Sequence, residues 1–470
     1  MIALTLAEIA ASTDGALHLP DGSSATVDGT VVSGTVQTDS RRVTPGSIFF
    51  ALPGETTDGH LFVPAAIDAG AALVVTERHL DVAVPQIVVA SGVAALAALA
   101  HTVVARVRAE GSLSVVGITG SNGKTTTKNM VRAILERSGP TVAPEGSYNN
   151  HVGAPLSMLA VDHTTRYLVV EMGTNHVGDI AKLVSIVTPD VAVVLKVGFA
   201  HAGDFGSLAV TQRAKAEMVT ALPADAVAVL NIDDDLVAQM ASMTAARVVW
   251  FGLSEGADVR ADRIDASIDG TSFTVSRHGA THRVSLRILG EHHVMNALAA
   301  LAVADQLGVP VAEAIGAIED MVKAERWRME VLHPGGGIVV INDAYNASPD
   351  STAAALKTLA QITGPQQRSV AVLGEMADLG DIADEEHDRI GRLVVRLNIA
   401  KLVVVGHRAR HIHNAAGLEG SWNFESVLVP DADAALDFLH TELRSGDVVL
   451  VKSSNSAKLR FLGDRLGGVS

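Results

Sequence analysis

The 470-residue chain carries 36 basic and 52 acidic side chains, a formal charge of −16, which opposes non-specific binding to nucleic acid because that binding rests on neutralising backbone phosphates. It has no cysteine, which excludes disulfides, thiolate metal sites and cysteine nucleophiles and leaves any metal to oxygen or histidine ligands. Hydrophobic residues make up 48% but Phe, Trp and Tyr only 3%; the cores must therefore be built from Ala, Val, Leu and Ile, as in packed α/β layers, and the length suggests about three domains.

Residues 1 to 110 mix short strand-like runs, Ser47 to Leu52 and Ala72 to Thr76, with an Ala-rich helical stretch from Val93 to Arg108. The longest apolar run, Val93 to Ala105, is interrupted by His101 and falls short of the ~20 residues a bilayer crossing needs. No membrane insertion is expected. Glu8 lies inside the first apolar run and no basic residue precedes it, unlike a secretory leader, so the expected location is the cytoplasm. From Leu113 apolar strands alternate with helices: Val115 to Thr119, Tyr167 to Glu171, Asp190 to Val197 and Ala226 to Asn231. These read as buried parallel strands. The polar stretch Asp258 to Arg283 looks like a strand-rich insertion, and Glu291 to Leu307 like a helix closing a domain over 111–322. In 323–470, strands near Glu330 to His333 and Gly337 to Asn342 meet at a triple-glycine turn. Further strands at Val370 to Leu373, Leu402 to Val405 and Val448 to Val451 suggest a Rossmann-like domain. No GxGxxG fingerprint follows them, which weakens the reading as a dinucleotide oxidoreductase.

The sharpest local signal is Val115 to Thr127, where an apolar strand passes through Gly120, Ser121, Asn122 and Gly123 into a helix opening with Lys124, Thr125 and Thr126. Glycines let several backbone N–H groups face one anion, and the helix adds the positive end of its dipole. Lys124 is placed to reach the β and γ phosphates of a nucleotide, and Thr125 to hold Mg²⁺. The general GxxxxGK[ST] spacing fails, since Ile118 stands where it needs glycine; the shorter Gly120-x-x-Gly123-Lys124-Thr125 fits. The competing interpretation is an ordinary glycine turn with a lysine in the first helical turn.

Glu171 ends an apolar strand, where a carboxylate can meet a metal at the sheet's carboxyl edge. Taken singly it is a solvated edge residue, His201 a polar loop residue and Lys215 a surface helix residue. In order behind the loop, however, Glu171, His201 and Lys215 resemble the metal and phosphate site of the Mur ligases. That resemblance implies a carbamylated Lys215. Carbamylation turns +1 into −1 beside Mg²⁺, whereas an ammonium about 4 Å from a divalent ion is repelled by about 8 kcal/mol at an effective dielectric of about 20.

Other segments extend the resemblance. Glu291 to Ala300 places Asn296 where Mur ligases contact adenine, and Trp327 to Glu330 resembles the family's arginine segment, with Arg328 directed at the γ-phosphate. Asn342 to Asp350, containing Asp343, Tyr345 and Asn346, resembles the DSYNANP motif of the members that add D-alanyl-D-alanine, with Asn342 and Ser348 departing from the commonest residues. Gly374 to Gly380 with His387, and Lys452 to Ser456, agree, although Ser453 and Asn455 replace the usual glycine and arginine of the latter. Thr38 to Arg42, with Ser40 and Arg41, and Gly54 to His60 resemble the family's UDP-binding module. Tyr148 to Gly153, with Asn149 and Asn150, and Glu171 to His176, with Thr174 and Asn175, fit the same members.

The resemblance implies an α/β protein of three domains: a small UDP-binding domain (1–110), a central phosphate-loop ATPase domain (111–322) and a Rossmann-like domain (323–470) that closes about a hinge near residue 323. It implies an ATP-dependent ligase using two Mg²⁺ ions, held by Thr125, Glu171, His201 and carbamylated Lys215. Lys124, Lys215, His201 and Arg328 are the expected catalytic residues. The implied substrates are UDP-N-acetylmuramoyl-tripeptide, contacted by Ser40, Arg41, Asn149, Asn150, Thr174 and Asn175, and D-alanyl-D-alanine, contacted by Tyr345 and Asn346. Nucleotide contacts fall to residues 120–126, Asn296, Arg328 and Asp343. A monomer is the default. Alternatives are the family member adding the third amino acid to a UDP-muramoyl-dipeptide, whose histidine-containing motif is replaced here by Asn346, a nucleotide-switched binding protein and a Rossmann-type dehydrogenase.

Overall fold

The computed structural model describes every residue except 23, 55–56, 112, 145, 199–205, 323–324, 420–424 and 470. Among the described residues three larger sheets organise the fold, beside a two-stranded antiparallel ribbon of Leu4–Thr5 with Val31–Val32. The first has the order Ala16–His18, Gln86–Val88, Leu73–Thr76, Ile48–Phe50, Val36–Gln37, parallel except where Ala16–His18 pairs antiparallel with Gln86–Val88. Ile48, Phe49 and Phe50 are fully buried, as expected of a strand covered on both faces.

The second sheet has nine strands. Ser114–Thr119 lies between Tyr167–Glu171 and Val191–Val194, in parallel register with both (Ile118 opposite Glu171, Thr119 opposite Val194). Thr141–Val142 lies beyond Tyr167–Glu171, so the chain steps out to the edge and returns before crossing to the other side of Ser114–Thr119. That reversal opens a crevice at the carboxyl ends of these strands, where α/β folds bind ligands. The expected insertion at Asp258 to Arg283 is instead the far edge of this sheet. Val259–Ser267, Gly270–Arg277 and Ala280–Leu286 form an antiparallel meander, and Val259–Ser267 joins Arg247–Gly252 in parallel through Phe251 and Gly252. Phe273, Val275 and Val284 alternate inward and bury against His292–Gln306.

The third sheet has the order Glu330–Gly335, Ile338–Asn342, Asp447–Lys452, Arg368–Leu373, Lys401–Val405, Ser426–Val429. Its first pair is the hairpin expected at the triple glycine, where Gly335, Gly336 and Gly337 all have positive φ; the other pairs are parallel.

The Ala-rich helix spans Gly92–Ala109. Its 18 residues, longer than the apolar run read from sequence, make it long and apolar enough by length and composition to cross a bilayer. Leu96, Leu99, Ala100, Val103, Val104 and Val107 are nonetheless buried in one apolar cluster with Leu6 and Ile9 on one side and Met158, Leu168 and Leu183 on the other. It cements the first sheet to the second. The residues at which a hinge was expected, Lys323 and Ala324, lie outside the described residues.

Candidate active site

The phosphate loop leaves the strand at Thr119 and enters the helix Lys124–Glu136. Gly120 (φ +152°) and Gly123 (φ +87°) hold conformations L residues avoid. A Cβ on Gly123 would lie 2.3 Å from Asn296 Oδ1, so glycine there lets the helix His292–Gln306 bring Asn296 against the loop. Thr127 Oγ1 donates to Asn296 Oδ1 (3.3 Å) and Asn296 Nδ2 donates to His293 Nδ1 (3.1 Å). Ser121 N donates to Lys196 O (2.8 Å) and Ser121 Oγ to Gly198 O (3.1 Å), pinning the loop's other flank.

Lys124 folds back so that Nζ donates to Gly120 O (2.7 Å). Burial lowers its pKa, with Glu171 opposing and Arg328 adding to the shift. Thr125 Oγ1 donates to Glu171 Oε2 (3.0 Å), and Asn149 Nδ2 donates to Glu171 Oε1 (2.8 Å). Arg328, from the start of the third domain, reaches across: Nη2 donates to Thr125 Oγ1 (3.3 Å) and its guanidinium lies 4.4 Å over the Tyr345 ring. Lys215, on Leu208–Thr220, is buried and its pKa is pushed well below the usual lysine range, first by desolvation and then by the Lys124 charge. The same helix ties down the next loop, since Glu217 accepts from Gly178 N (2.6 Å) and Ala181 N (2.9 Å). His201 lies outside the described residues.

Three segments far apart in sequence meet at the carboxyl edge of the third sheet. Lys452 Nζ donates to Asp343 Oδ2 (2.6 Å) and Asn346 O (3.0 Å), Ser454 Oγ donates to Ala347 O (3.2 Å), and Ala377 N donates to Ser454 Oγ (2.7 Å). His387 Nε2 accepts from Met376 N (3.0 Å) and so fixes the 374–380 turn. This assembly closes on the phosphate loop: Ser348 Oγ donates to Asn122 Oδ1 (3.2 Å), Tyr345 Oη lies 2.5 Å from Ser147 Oγ, and Lys196 Nζ is 3.7 Å from Asp350. Around the loop, Thr119 Oγ1, His293 Nε2 and Arg328 Nε are buried and find no hydrogen-bond partner among the described residues. Unpaired buried donors beside a glycine-lined helix N-terminus fit a polyanionic ligand.

Residues 34–111 match the Mur ligase family catalytic domain, 118–304 the Mur ligase middle domain and 327–455 the Mur ligase glutamate ligase domain. The chain is 44% identical to the UDP-N-acetylmuramoyl-tripeptide–D-alanyl-D-alanine ligase of Mycobacterium tuberculosis (strain ATCC 25618 / H37Rv), over 99% of this chain and 98% of that one. It belongs to the Mur ligase family. Among solved structures, MurF from Acinetobacter baumannii superposes with a TM-score of 0.87 at 31% identity, covering 99% of both chains. MurF from Thermotoga maritima in complex with ADP gives 0.80 at 28%, covering 92% of this chain and 97% of that one.

Between its first two sheets this Mur ligase has a second cleft, of about 230 Å³, lined by Thr38, Asp39, Arg42, Pro144, Tyr148 and Ser157 among others. Ser40 and Arg41 are the residues expected to contact the UDP-linked substrate. Arg41 instead turns outward, its guanidinium paired with Asp39 (2.6 Å) and mostly exposed; that charge and its hydrogen bonds hold the Asp39 carboxyl down at about 2. Arg42 spans the cleft, Nη1 donating to Tyr148 Oη (2.6 Å). Asn150 is spent locally, Oδ1 accepting from Gly153 N (2.8 Å) at the head of the next helix. Thr174 Oγ1 donates to His176 O (2.7 Å), and Asn175 N donates to Asp179 Oδ2 (3.2 Å). Both shape an exposed loop beside Glu171.

Lys128 lies one turn beyond Lys124, and no sequence motif marks it. It is fully buried and donates to Pro144 O (2.6 Å) and Gly146 O (2.7 Å). Desolvation lowers its pKa to about 8. The only clue was its place four residues after Lys124, on the helix face that buries.

Proposed function

We propose that this Mur ligase joins D-alanyl-D-alanine to UDP-N-acetylmuramoyl-tripeptide, converting ATP to ADP and phosphate and forming the UDP-muramoyl-pentapeptide used in cell-wall peptidoglycan. One observation carries the assignment. The segment Asn342 to Asp350 is locked by Lys452 and bears, through Tyr345, Ser348 and Asp350, on the phosphate loop and its flanks. The residues that resemble the dipeptide-adding members thus sit against the place where a nucleotide's phosphates bind. The 44% identity to a relative of that name, over nearly the whole of both chains, supports the same reading.

In the reaction the tripeptide's terminal carboxylate attacks the γ-phosphorus of ATP, giving an acyl phosphate and ADP. The dipeptide amine then attacks the acyl carbon, phosphate leaves and the amine loses a proton. The first step brings anion to anion, so the protein must neutralise charge before it can align reactants. Lys124, and Arg328 arriving from the third domain, supply fixed positive charge. The backbone of residues 120–126 supplies N–H donors. Thr125, Glu171, His201 and Lys215 would hold Mg²⁺, which contributes Lewis-acid neutralisation of phosphate oxygens. Burial and the Lys124 charge disfavour the ammonium form of Lys215, and the amine is the form that adds CO₂, so Lys215 fits the carbamate role, its new carboxylate facing the charge of Lys124. Asn296, packed against the loop at Gly123, would contact the adenine. The cleft at Arg42 and Tyr148 is placed for the UDP-muramoyl moiety, with Thr174 and Asn175 nearer Glu171. Nucleotide-linked substrates and ATP place the enzyme in the cytoplasm, and a monomer carries all of these elements.

The test is phosphate release with ATP, Mg²⁺, UDP-N-acetylmuramoyl-tripeptide and D-alanyl-D-alanine, each omitted in turn. Release requiring all four, with a product heavier by the dipeptide less water, is expected. Addition of a single amino acid to the UDP-muramoyl-dipeptide would transfer the chain to the neighbouring ligase. Release indifferent to either substrate would point to a nucleotide switch.

A further inference from the structure

Arg328 sits in a turn that its own sequence disfavours. Trp327 (φ +59°) and Met329 (φ +50°) both adopt left-handed backbone, rare for bulky residues and held only where the surroundings enforce it. Backbone bonds contribute: Trp327 N donates to Glu330 Oε2 (3.0 Å), Met329 N to Asp343 Oδ1 (3.1 Å), and Tyr345 N to Trp327 O (3.2 Å). None of these grips the Trp327 side chain. That grip comes from the final helix, Leu459–Leu466, where the buried Asp464 accepts from Trp327 Nε1 at 3.0 Å on each oxygen. The same carboxylate pairs with Arg326 Nη2 (3.1 Å) and accepts from Asn342 Nδ2 (3.0 Å). The indole is further packed by the Arg326 guanidinium at 4.8 Å, the Arg460 guanidinium at 5.4 Å and the edge of Phe461 at 6.3 Å.

We propose that Asp464 is a positioning residue for the ligation reaction: through Trp327 it holds the left-handed turn that presents Arg328 to the phosphate loop, and through Asn342 it sets the same helix against the dipeptide-facing segment. The inference rests on the reading of Arg328 as a phosphate-facing cation. Without the carboxylate, Trp327 is free to return to ordinary extended backbone. The φ change then propagates to the next residue and withdraws the guanidinium from Thr125.

The experiment is steady-state ligation kinetics with ATP varied, on Trp327→Phe, Asp464→Ala, Asp464→Asn, Arg328→Gln and the double variant Trp327→Phe/Arg328→Gln. Trp327→Phe keeps an aromatic ring and removes the Nε1–H donor, so it carries the test even if Asp464→Ala fails to fold. Loss of a hydrogen bond to a charged acceptor corresponds to about ten- to a hundredfold. kcat/KM for ATP is expected to fall by that factor in Trp327→Phe and Asp464→Ala. KM for UDP-muramoyl-tripeptide should be unchanged, and Asp464→Asn, which keeps one acceptor oxygen, should recover part of the loss. Arg328→Gln and the double variant should be equally slow, because a turn that presents nothing has nothing left to lose. A double variant slower than Arg328→Gln by the full Trp327→Phe factor, or Trp327→Phe at wild-type rate, overturns the proposal while leaving the role of Arg328 standing. Arg328→Gln at wild-type rate overturns both, and so separates the two failures.

Discussion

Replacing Lys128 by methionine is expected to produce a pH signature that few substitutions share. The side chain is fully buried and its pKa falls from 10.5 to about 8 through desolvation. At about 1.4 kcal/mol per pH unit, carrying the ammonium into the fold costs about 3 kcal/mol at neutral pH. Its two charge-assisted bonds to Pro144 O and Gly146 O return about 1.5–3 kcal/mol each. Methionine forfeits both and escapes the desolvation penalty, leaving a net loss of about 0–3 kcal/mol at pH 7. The sign of the pH dependence follows from the depressed pKa. Between about pH 8 and 10.5 the unfolded chain binds the proton and the folded chain does not, so the wild type's penalty fades as pH rises. The wild-type advantage should therefore widen by about 2 kcal/mol from pH 7 to pH 9.5, read by urea denaturation of both proteins in matched buffers. Ligation kinetics supply the second reading. Pro144 and Tyr148 line the cleft at Arg42, so KM for the UDP-muramoyl substrate should rise in Lys128→Met, and Arg42→Ala should raise it without the pH-dependent stability change. Parallel stability profiles for wild type and Lys128→Met, or an unchanged KM, would refute the account of a buried cation holding the cleft wall.

Gly123→Ala places a Cβ 2.3 Å from Asn296 Oδ1 on a backbone at φ +87°, and nucleotide affinity measured by titration calorimetry with ADP should fall at least about tenfold, since left-handed backbone alone costs about 1–2 kcal/mol before the displaced asparagine is counted. His292 is lowered to about 4 by burial near Asp343 and Lys452; its stabilising effect is complete above about pH 6.5 and is lost as pH falls toward 4, so His292→Gln should flatten the acid limb of the stability profile, and an unaltered limb would remove His292 from the account.

The parts of this architecture legible in the sequence are those governed by local rules. The strand Ser114–Thr119, the loop after it and the helix His292–Gln306 announce themselves through apolar runs and glycine spacing. The hairpin at Gly335 to Gly337 does so through turn chemistry. Two-residue strands such as Val36–Gln37 and Thr141–Val142 are too short to show any period. The Asp258 to Arg283 region reads as strands but not as part of the central sheet, because its attachment is only the short parallel pairing at Phe251 and Gly252. At the site, Glu171, Lys215 and Arg328 come together near the phosphate loop as the order of motifs suggests. Asp39 pairs with Arg41 two positions away, a contact local sequence allows, whereas only the fold brings Tyr148, more than a hundred positions on, within reach of Arg42. Lys128 and Asp464 read as an unremarkable helix lysine and aspartate until their burial is known.

The second and third sheets do not own separate interiors. Leu289, which follows the meander of the central sheet, is fully buried in the apolar cluster of the third domain, and Ile268, at the tip of that meander, packs against the same cluster, which includes Leu356 and Leu359. Unfolding the last domain therefore strands apolar side chains belonging to its neighbour, and melting the meander opens the last domain's core. Heat should take both apart in a single cooperative step, and a protein truncated before residue 327 would carry Leu289 and Ile268 as an exposed, aggregation-prone scar.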